Sequence, residues 1–126
     1  MTLVDAYRCF LAGDPAPLIG LLAEDVVYHL PGRHLGGGDL VGRAAVLHRL
    51  AESAAAFDEA PVIELLHGAA AGGFVVTVER FSARRRGRVL AQTVCVVWRM
   101  AGGACAEVWA HFEDQAACDA FWGGAR

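Results

Sequence analysis

Residues 105–114 place the strongest constraint on how this 126-residue chain folds. In their sequence, CAEVWAHFED, apolar and polar side chains alternate, which predicts a β-strand with two different faces. One face is apolar, and the other carries Glu107, Trp109, His111 and Glu113 in a row. Such a row is typical either of the wall of a polar-lined pocket or of the solvated face of an edge strand. The sequence leaves both possibilities open.

Three more strands are predicted before this one, over residues 61–66, 73–83 and 89–100. The turn at residues 84–87 contains a glycine that suits a β-hairpin. Because consecutive strands joined by short turns usually pair with each other, we expect these strands and the last one to form an antiparallel meander.

The other segments are predicted as helices at 3–12, 15–23, 43–57 and 115–122, a strand at 25–30 and a glycine-rich loop at 31–42. The helices are indicated by apolar residues at helical spacing. Asp14 is expected to cap the second helix, with Pro15 at its first position. Asp114 is expected to cap the last helix, so that Phe121 and Trp122 fold back onto the sheet.

This order of elements predicts an α+β fold in a single domain of residues 1–126. We expect a cone-shaped, curved sheet, mixed or antiparallel, wrapped on three N-terminal helices and followed by a short C-terminal helix. A deep cavity is expected between the sheet and the helices, because ligand sites in such folds are concave and largely apolar.

Composition excludes several classes of function. The net charge of −3 argues against nucleic-acid binding. The sequence contains no run of 18 apolar residues, so we predict no membrane span. The N-terminus has an acid and no basic segment, so we expect no signal peptide and a cytoplasmic location. The four cysteines form no CxxC pair and are expected to be reduced. All 11 basic residues are arginines, which excludes a Schiff-base lysine.

Two long segments resemble the SnoaL-like proteins. DVVYHLPGRHLGGGDLVGRAAVLHRL, residues 25–50, is similar to their strand, glycine-rich loop and following helix. AEVWAHFEDQAACDAFW, residues 106–122, is similar to their last strand and closing helix. With the opening AGDPAPLIGLLAEDV, the resemblance covers nearly the whole chain. It implies the nuclear-transport-factor-2-like fold, which also includes ketosteroid isomerases, scytalone dehydratases, limonene epoxide hydrolases and polyketide cyclases.

The resemblance implies a cofactor-free reaction, because SnoaL-like cyclases close a ring by an aldol step with an acid/base residue on a late strand. A resemblance to limonene epoxide hydrolase places its arginine on Arg80 and its last-strand acid on His111. Its other acid falls on Ser82, and its water-holding residues fall on His29 and Val27. Because both acids are replaced, the resemblance does not support epoxide hydrolysis by that mechanism.

His29, Arg80 and His111 are therefore the predicted catalytic residues. A neutral imidazole takes a proton from a carbon or hydroxyl next to a carbonyl, and the other imidazole or the guanidinium holds the oxyanion. The alternatives are structural. His29 is then a core histidine, His111 lies on the solvated face, and Arg80 pairs with a carboxylate such as Glu107 or Glu113.

Six further residues are predicted to bind substrate. They are Tyr7, Phe10, Trp98 and Trp109 as apolar walls, His34 as a lid residue in the glycine-rich loop, and Glu113 beside His111. A metal site made of His29, His111 and Glu113 lacks any local ligand spacing, and the resemblance implies neither a metal nor a cofactor, so we expect none.

The leading functional hypothesis is a cofactor-independent cyclase or isomerase that acts on a small hydrophobic polyketide or terpenoid in secondary metabolism. The alternatives are an epoxide-opening cyclase or epoxide hydrolase, and a non-catalytic module that binds a small ligand or dimerises. The outer face of the sheet also needs a cover. Val75, Thr77, Cys95 and Val97 are its candidate residues, and a homodimer is the expected cover.

Overall fold

The structure, a computed structural model that describes residues 1–123, contains one six-stranded mixed sheet with helices on one of its faces. In chain order its elements are α1 (Leu3–Leu11), α2 (Ala16–Leu21), β1 (Leu22–Leu30), β2 (Gly38–Val41), α3 (Arg43–Ala56), β3 (Val62–Ala71), β4 (Phe74–Arg85), β5 (Arg88–Ala101), β6 (Ala104–Phe112) and α4 (Gln115–Trp122). The predicted α+β fold, with three N-terminal helices and a short C-terminal helix, is confirmed.

The N-terminal helical corner differs from the prediction in its second helix. Helix α1 begins with a capping box in which Thr2 and Asp5 bond to each other's backbone N–H groups, and it is followed by Gly13 at φ 95°. Helix α2 is not capped by Asp14, because the residue at its start is Pro15, which makes no side-chain cap bond. It also ends earlier than predicted, since Leu22 is already extended and starts β1.

The sheet has the strand order β2-β1-β6-β5-β4-β3. Its last four strands pair consecutively and antiparallel, which confirms the predicted meander. The first strand joins this meander in parallel, beside the last strand β6. Part of the predicted loop at 31–42 is strand β2, which pairs with β1 and buries Leu40.

Alternation along the strands separates an inner face, covered by the helices, from an outer face. On β4 the inner residues include Val75, Thr77 and Glu79, all buried. The placement of Val75 and Thr77 on the outer face was therefore wrong. The physical reason is the strand's parity: Thr77 lies under the helices, where its hydroxyl accepts a bond of 2.9 Å from the indole N–H of Trp98.

Buried side chains form two clusters on the inner face. The larger one lies beneath α1 and α2 and includes Leu3, Leu18, Val26 and Trp98. The smaller one lies beneath α4 and is built from Ala83, Leu90, Cys118, Phe121 and Trp122. Asp114 caps α4 through the backbone N–H of Ala117, as predicted, and this fixes the direction in which the helix returns to the sheet.

Candidate functional site

A cavity of about 280 Å³ lies between the inner face of the sheet and the helices. Apolar side chains from α1, α3 and the strands form most of its lining, among them Phe10, Leu30, Phe81, Val96, Trp98 and Phe112. Among the described residues that line the cavity, only Glu79 and Arg49 belong to charged types. The fold therefore produces a largely apolar space with a few isolated polar groups, as in small-molecule sites.

The most deeply placed of these polar groups is the carboxyl of Glu79. Its residue is only 4% exposed, and the Tyr7 hydroxyl on α1 donates to its Oε1 at 2.5 Å. Burial raises the pKa of Glu79 above its ordinary value, although the Tyr7 bond opposes this shift. Burial also raises the pKa of Tyr7, and the nearby Glu79 charge adds to that effect. The pair thus combines a buried carboxyl of raised pKa with a phenol that stays protonated.

A second phenol, Tyr28, lines the same cavity from β1. Burial, followed by the charge of Glu79, raises the pKa of Tyr28, so its hydroxyl stays protonated. Among residues 1–123, no hydrogen bond engages this hydroxyl. It is therefore an available donor near a carboxyl, inside an apolar space.

Three of the predicted substrate-binding residues line this cavity. Tyr7 and Phe10 project from α1, and Trp98 projects from the inner face of β5. The Tyr7 ring packs against Trp98 with centroids 5.3 Å apart, which holds the phenol beside Glu79. Their role in substrate binding stays a prediction.

The three predicted catalytic residues lie elsewhere. His29, Arg80 and His111 are on the outer face, and none of them lines the cavity. Their expected placement in the cavity was wrong, because strand side chains alternate and a displacement of one residue turns a side chain to the opposite face. The inner neighbours of Arg80 are Glu79 and Phe81. Every position taken from the epoxide-hydrolase resemblance has this outward parity.

On the outer face, His29 lies between two carboxylates. Its Nδ1 is 3.0 Å from Asp39, its Nε2 is 2.6 Å from Glu107, and Glu107 in turn accepts from Arg99 at 3.3 Å. The bonds to Glu107 and then Asp39 raise the pKa of His29, and the bond to His29 lowers that of Glu107. Trp109 stacks on the imidazole with centroids 5.6 Å apart. We call the four charged residues, Asp39 of β2, His29 of β1, Glu107 of β6 and Arg99 of β5, the outer charge ladder.

Glu113 and His111 are also exposed on that side. Glu113 lies 3.8 Å from Arg80 and accepts a bond of 3.0 Å from the backbone N–H of Thr93. The predicted roles of Trp109 and Glu113 as substrate contacts are therefore not supported by their positions. Arg80 matches its structural alternative, an ion pair with a carboxylate.

His34 is buried, but it faces α4 and does not line the cavity. Its Nδ1 accepts from the backbone N–H of Gly36, so Nε2 is the nitrogen that donates to Asp119, at 2.9 Å. Its ring stacks on Trp122, a cavity residue. A Cβ on Gly36 would come within 2.3 Å of that indole, so only glycine allows this close approach. His34, which was predicted to be a lid residue, thus joins the glycine-rich loop to α4 through Asp119 and Trp122.

Glu79, Tyr28 and Arg49 were not predicted from the sequence as residues of the site. A signal for Glu79 was present, because it occupies the same alternating positions of β4 as Val75 and Phe81. A lone acid in an apolar series is the pattern of a buried functional carboxyl. Alternation along β1 places Tyr28 on the face opposite His29, but alternation does not tell which of the two faces is the inner one.

Two further features, a metal-binding cluster and a membrane-spanning helix, are absent from residues 1–123. No cluster of three or more histidine, cysteine or acidic side chains suited to a metal ion occurs among them. No helix in that part of the chain is both long and apolar enough to cross a membrane.

Comparison with known proteins places this geometry in a family. The chain belongs to the SnoaL-like domain family, whose model matches residues 3–108. An uncharacterized protein of Mycobacterium tuberculosis is 32% identical over 117 residues, which are 92% of this chain and 89% of the relative.

Solved structures agree with this fold. Bal32a, from a soil-derived mobile gene cassette, superposes with a TM-score of 0.86 at 29% identity, over 95% of this chain and 92% of Bal32a. TerC, co-crystallized with polyporic acid, superposes with a TM-score of 0.77 at 20% identity, over 94% of each chain. The similarity to TerC is one of fold.

Proposed function

We propose that this protein is a cofactor-independent isomerase or cyclase for a small, largely apolar carbonyl compound of the polyketide or terpenoid type. The observation that carries the proposal is the buried Glu79 carboxyl, bonded by Tyr7 inside an otherwise apolar cavity. Membership of the SnoaL-like family, and the co-crystallization of the fold neighbour TerC with polyporic acid, support a small organic ligand.

In the proposed reaction, the Glu79 carboxylate removes a proton from the carbon next to the substrate's carbonyl group. The C–H electron pair moves into the enolate, and the Tyr28 hydroxyl donates a hydrogen bond to the enolate oxygen. The protonated Glu79 carboxyl then returns the proton to another carbon of the enolate, which gives isomerisation. Alternatively, the enolate carbon attacks a second carbonyl, which gives ring closure, and the alkoxide that forms takes the proton from Glu79. Tyr7 holds the carboxyl in position and tunes its pKa.

Burial suits Glu79 to the role of general base. A base works best when its pKa lies near the working pH, and desolvation moves the pKa of this carboxyl upward, in that direction. His29, Arg80 and His111 lie on the other face of the sheet and have no part in the proposed proton transfer.

The test is carbon-acid exchange with 2-tetralone, a compact apolar ketone, followed by NMR in D₂O. We expect Glu79→Gln, which keeps the shape and removes the base, to lower the protein-catalysed exchange rate by at least about 100-fold. His111→Gln is the matched control on the outer face and should exchange at the wild-type rate. Wild-type exchange in Glu79→Gln, or its loss in His111→Gln, would contradict the assignment.

A binding module without turnover is the second candidate. The lining of the cavity, apolar apart from a few groups, favours ligand retention whether or not chemistry follows. Binding of 2-tetralone without exchange above the rate in buffer would support this candidate over the first.

The proposal includes a homodimer formed through the outer face and a cytoplasmic location. Phe74 is 43% exposed and Val76 is 37% exposed, and the half-buried Val97 and Trp109 lie on the same side. Association of two such faces would cover them. Light scattering at micromolar concentration should give the mass of a dimer, and a monomer would overturn this part.

A further inference from the structure

The lining of the cavity contains a cation that the proposed proton transfer does not use. Arg49 projects from α3, and its side chain is only 15% exposed. Within the described lining, no other lysine, arginine or histidine accompanies it. An arginine stays charged and is costly to bury without partners. The contacts of Arg49 therefore show which of its nitrogen atoms remain available to bind a ligand.

The hydrogen bonds of Arg49 use only one end of its guanidinium. Nη1 donates to the backbone carbonyls of Leu35, at 3.4 Å, and Gly37, in the glycine-rich loop. Nε lies 3.7 Å from Glu52 on the same helix. In the part of the chain that the structure describes, no hydrogen bond engages Nη2. Nη2 therefore keeps its donor capacity for a ligand.

The acidic residue of the lining does not pair with Arg49. The Glu79 carboxyl is bonded to the Tyr7 hydroxyl, and among residues 1–123 no ion pair joins it to the guanidinium of Arg49. The cavity thus has a carboxyl with a phenol partner at one place and a guanidinium at another. A guanidinium that is already held in orientation binds a planar carboxylate with little further loss of freedom.

We propose that Arg49 is a specificity residue and that the ligand of this cavity is an apolar organic acid whose carboxylate is bound by Nη2. The proposal rests on the proposed function only in taking this cavity as the ligand site. It adds that the substrate carries a carboxylate away from its reacting carbonyl.

The test compares the binding of 2-naphthoate and 2-naphthamide, two probes of equal shape and different charge, by titration calorimetry at neutral pH. A charge-assisted hydrogen bond of the usual strength predicts that the wild-type protein binds the acid about 10–100 times more tightly than the amide. Arg49→Gln should bring this ratio close to one. Arg49→Lys, which keeps the charge, should retain a preference for the acid. Arg33→Gln is the matched control, because Arg33 is an exposed arginine in the glycine-rich loop that Arg49 contacts. This variant should keep the full ratio.

The ratio of the affinities for 2-naphthoate and 2-naphthamide distinguishes two roles of Arg49, recognition of a carboxylate and support of the glycine-rich loop. If Arg49 only holds the loop, Arg49→Gln weakens both probes equally, and the proposal is overturned. Equal binding of the two probes by the wild-type protein, or no binding of the naphthoate at millimolar concentration, overturns it as well. The acid preference is measured by binding and the carbon-acid exchange by turnover, so either can fail without the other.

Discussion

The two faces of one sheet carry very different chemistry in this protein. On the outer face, His29, Asp39, Glu107 and Arg99 form the charge ladder, in which each charge has a partner of opposite sign near solvent. On the inner face, Glu79 is withdrawn from water and bonded to a phenol. A rich set of titratable side chains can therefore be structural, while a single desolvated carboxyl is the better candidate for catalysis.

The largest difference should appear when one tryptophan is removed from each face. Trp98→Ala removes a side chain that is 3% exposed and bonded to Thr77, so we expect a loss of about 3–5 kcal/mol in the free energy of unfolding. Trp109→Ala, on the half-buried outer side, should cost about 1 kcal/mol. Urea denaturation measures both. Equal losses would contradict the inner/outer distinction, and a Trp109 loss that depends on protein concentration would identify this face as a subunit interface.

A smaller effect is expected from the hydroxyl of Tyr7. Tyr7→Phe removes the bond that lowers the pKa of Glu79, so the acid limb of the pH–rate profile should move to higher pH. The exchange rate at neutral pH should fall roughly tenfold, the scale of one neutral hydrogen bond. The profile of 2-tetralone exchange checks both effects. Tyr28→Phe is the comparison variant, and it should lower the rate without moving the limb.

The charge ladder should make stability depend on pH. An imidazole whose pKa is raised by folding contributes fully below its unfolded pKa, near 6.5, and the contribution is lost as the pH rises through the folded value. The free energy of unfolding should therefore fall by up to about 1 kcal/mol above neutral pH, a modest figure because the ring is partly exposed. His29→Gln should remove this component. If the free energy of unfolding depended on pH in the same way in the wild type and in His29→Gln, His29 would not be the source of this component.

The smallest effect is expected at Arg80. Its guanidinium and the carboxylate of Glu113 are 3.8 Å apart, with side-chain exposures of 47% and 60%. Exposed pairs of this kind contribute little, so Arg80→Gln should change the free energy of unfolding by less than about 0.5 kcal/mol. It should also leave 2-tetralone exchange unchanged. A loss of exchange would place a catalytic role back on the outer face.

The sequence predicted the fold better than the site, for a physical reason. Strand periodicity and helix caps are local, so the meander and the Asp114 cap were predicted correctly. Which face of a strand becomes the inner one depends on where the helices pack, and alternation alone does not decide it. Trp109 and His111 therefore looked like pocket residues, although they share the outward parity.

Contacts across long sequence separations were the other limit. Tyr7 and Glu79 are 72 residues apart, and the first is an ordinary helix residue until the fold brings the two together. Arg49 likewise gains its role only when the glycine-rich loop returns over α3. The parallel pairing of β1 with β6 lies beyond any local pattern.

The pairing of the first strand with the last also affects how the protein is made. Strand β1 receives its neighbour β6 only after residues 104–112 have been synthesised, and until then only the short β2 pairs with it. Val26 and Tyr28 lie in a strand with only one neighbour until about 70 further residues have been synthesised. Pairing β1 with β6 therefore requires the closure of a large loop. The wall that holds the Tyr28 phenol is thus completed late, so a nascent chain stalled before β6 lacks part of the cavity lining and has an open apolar edge.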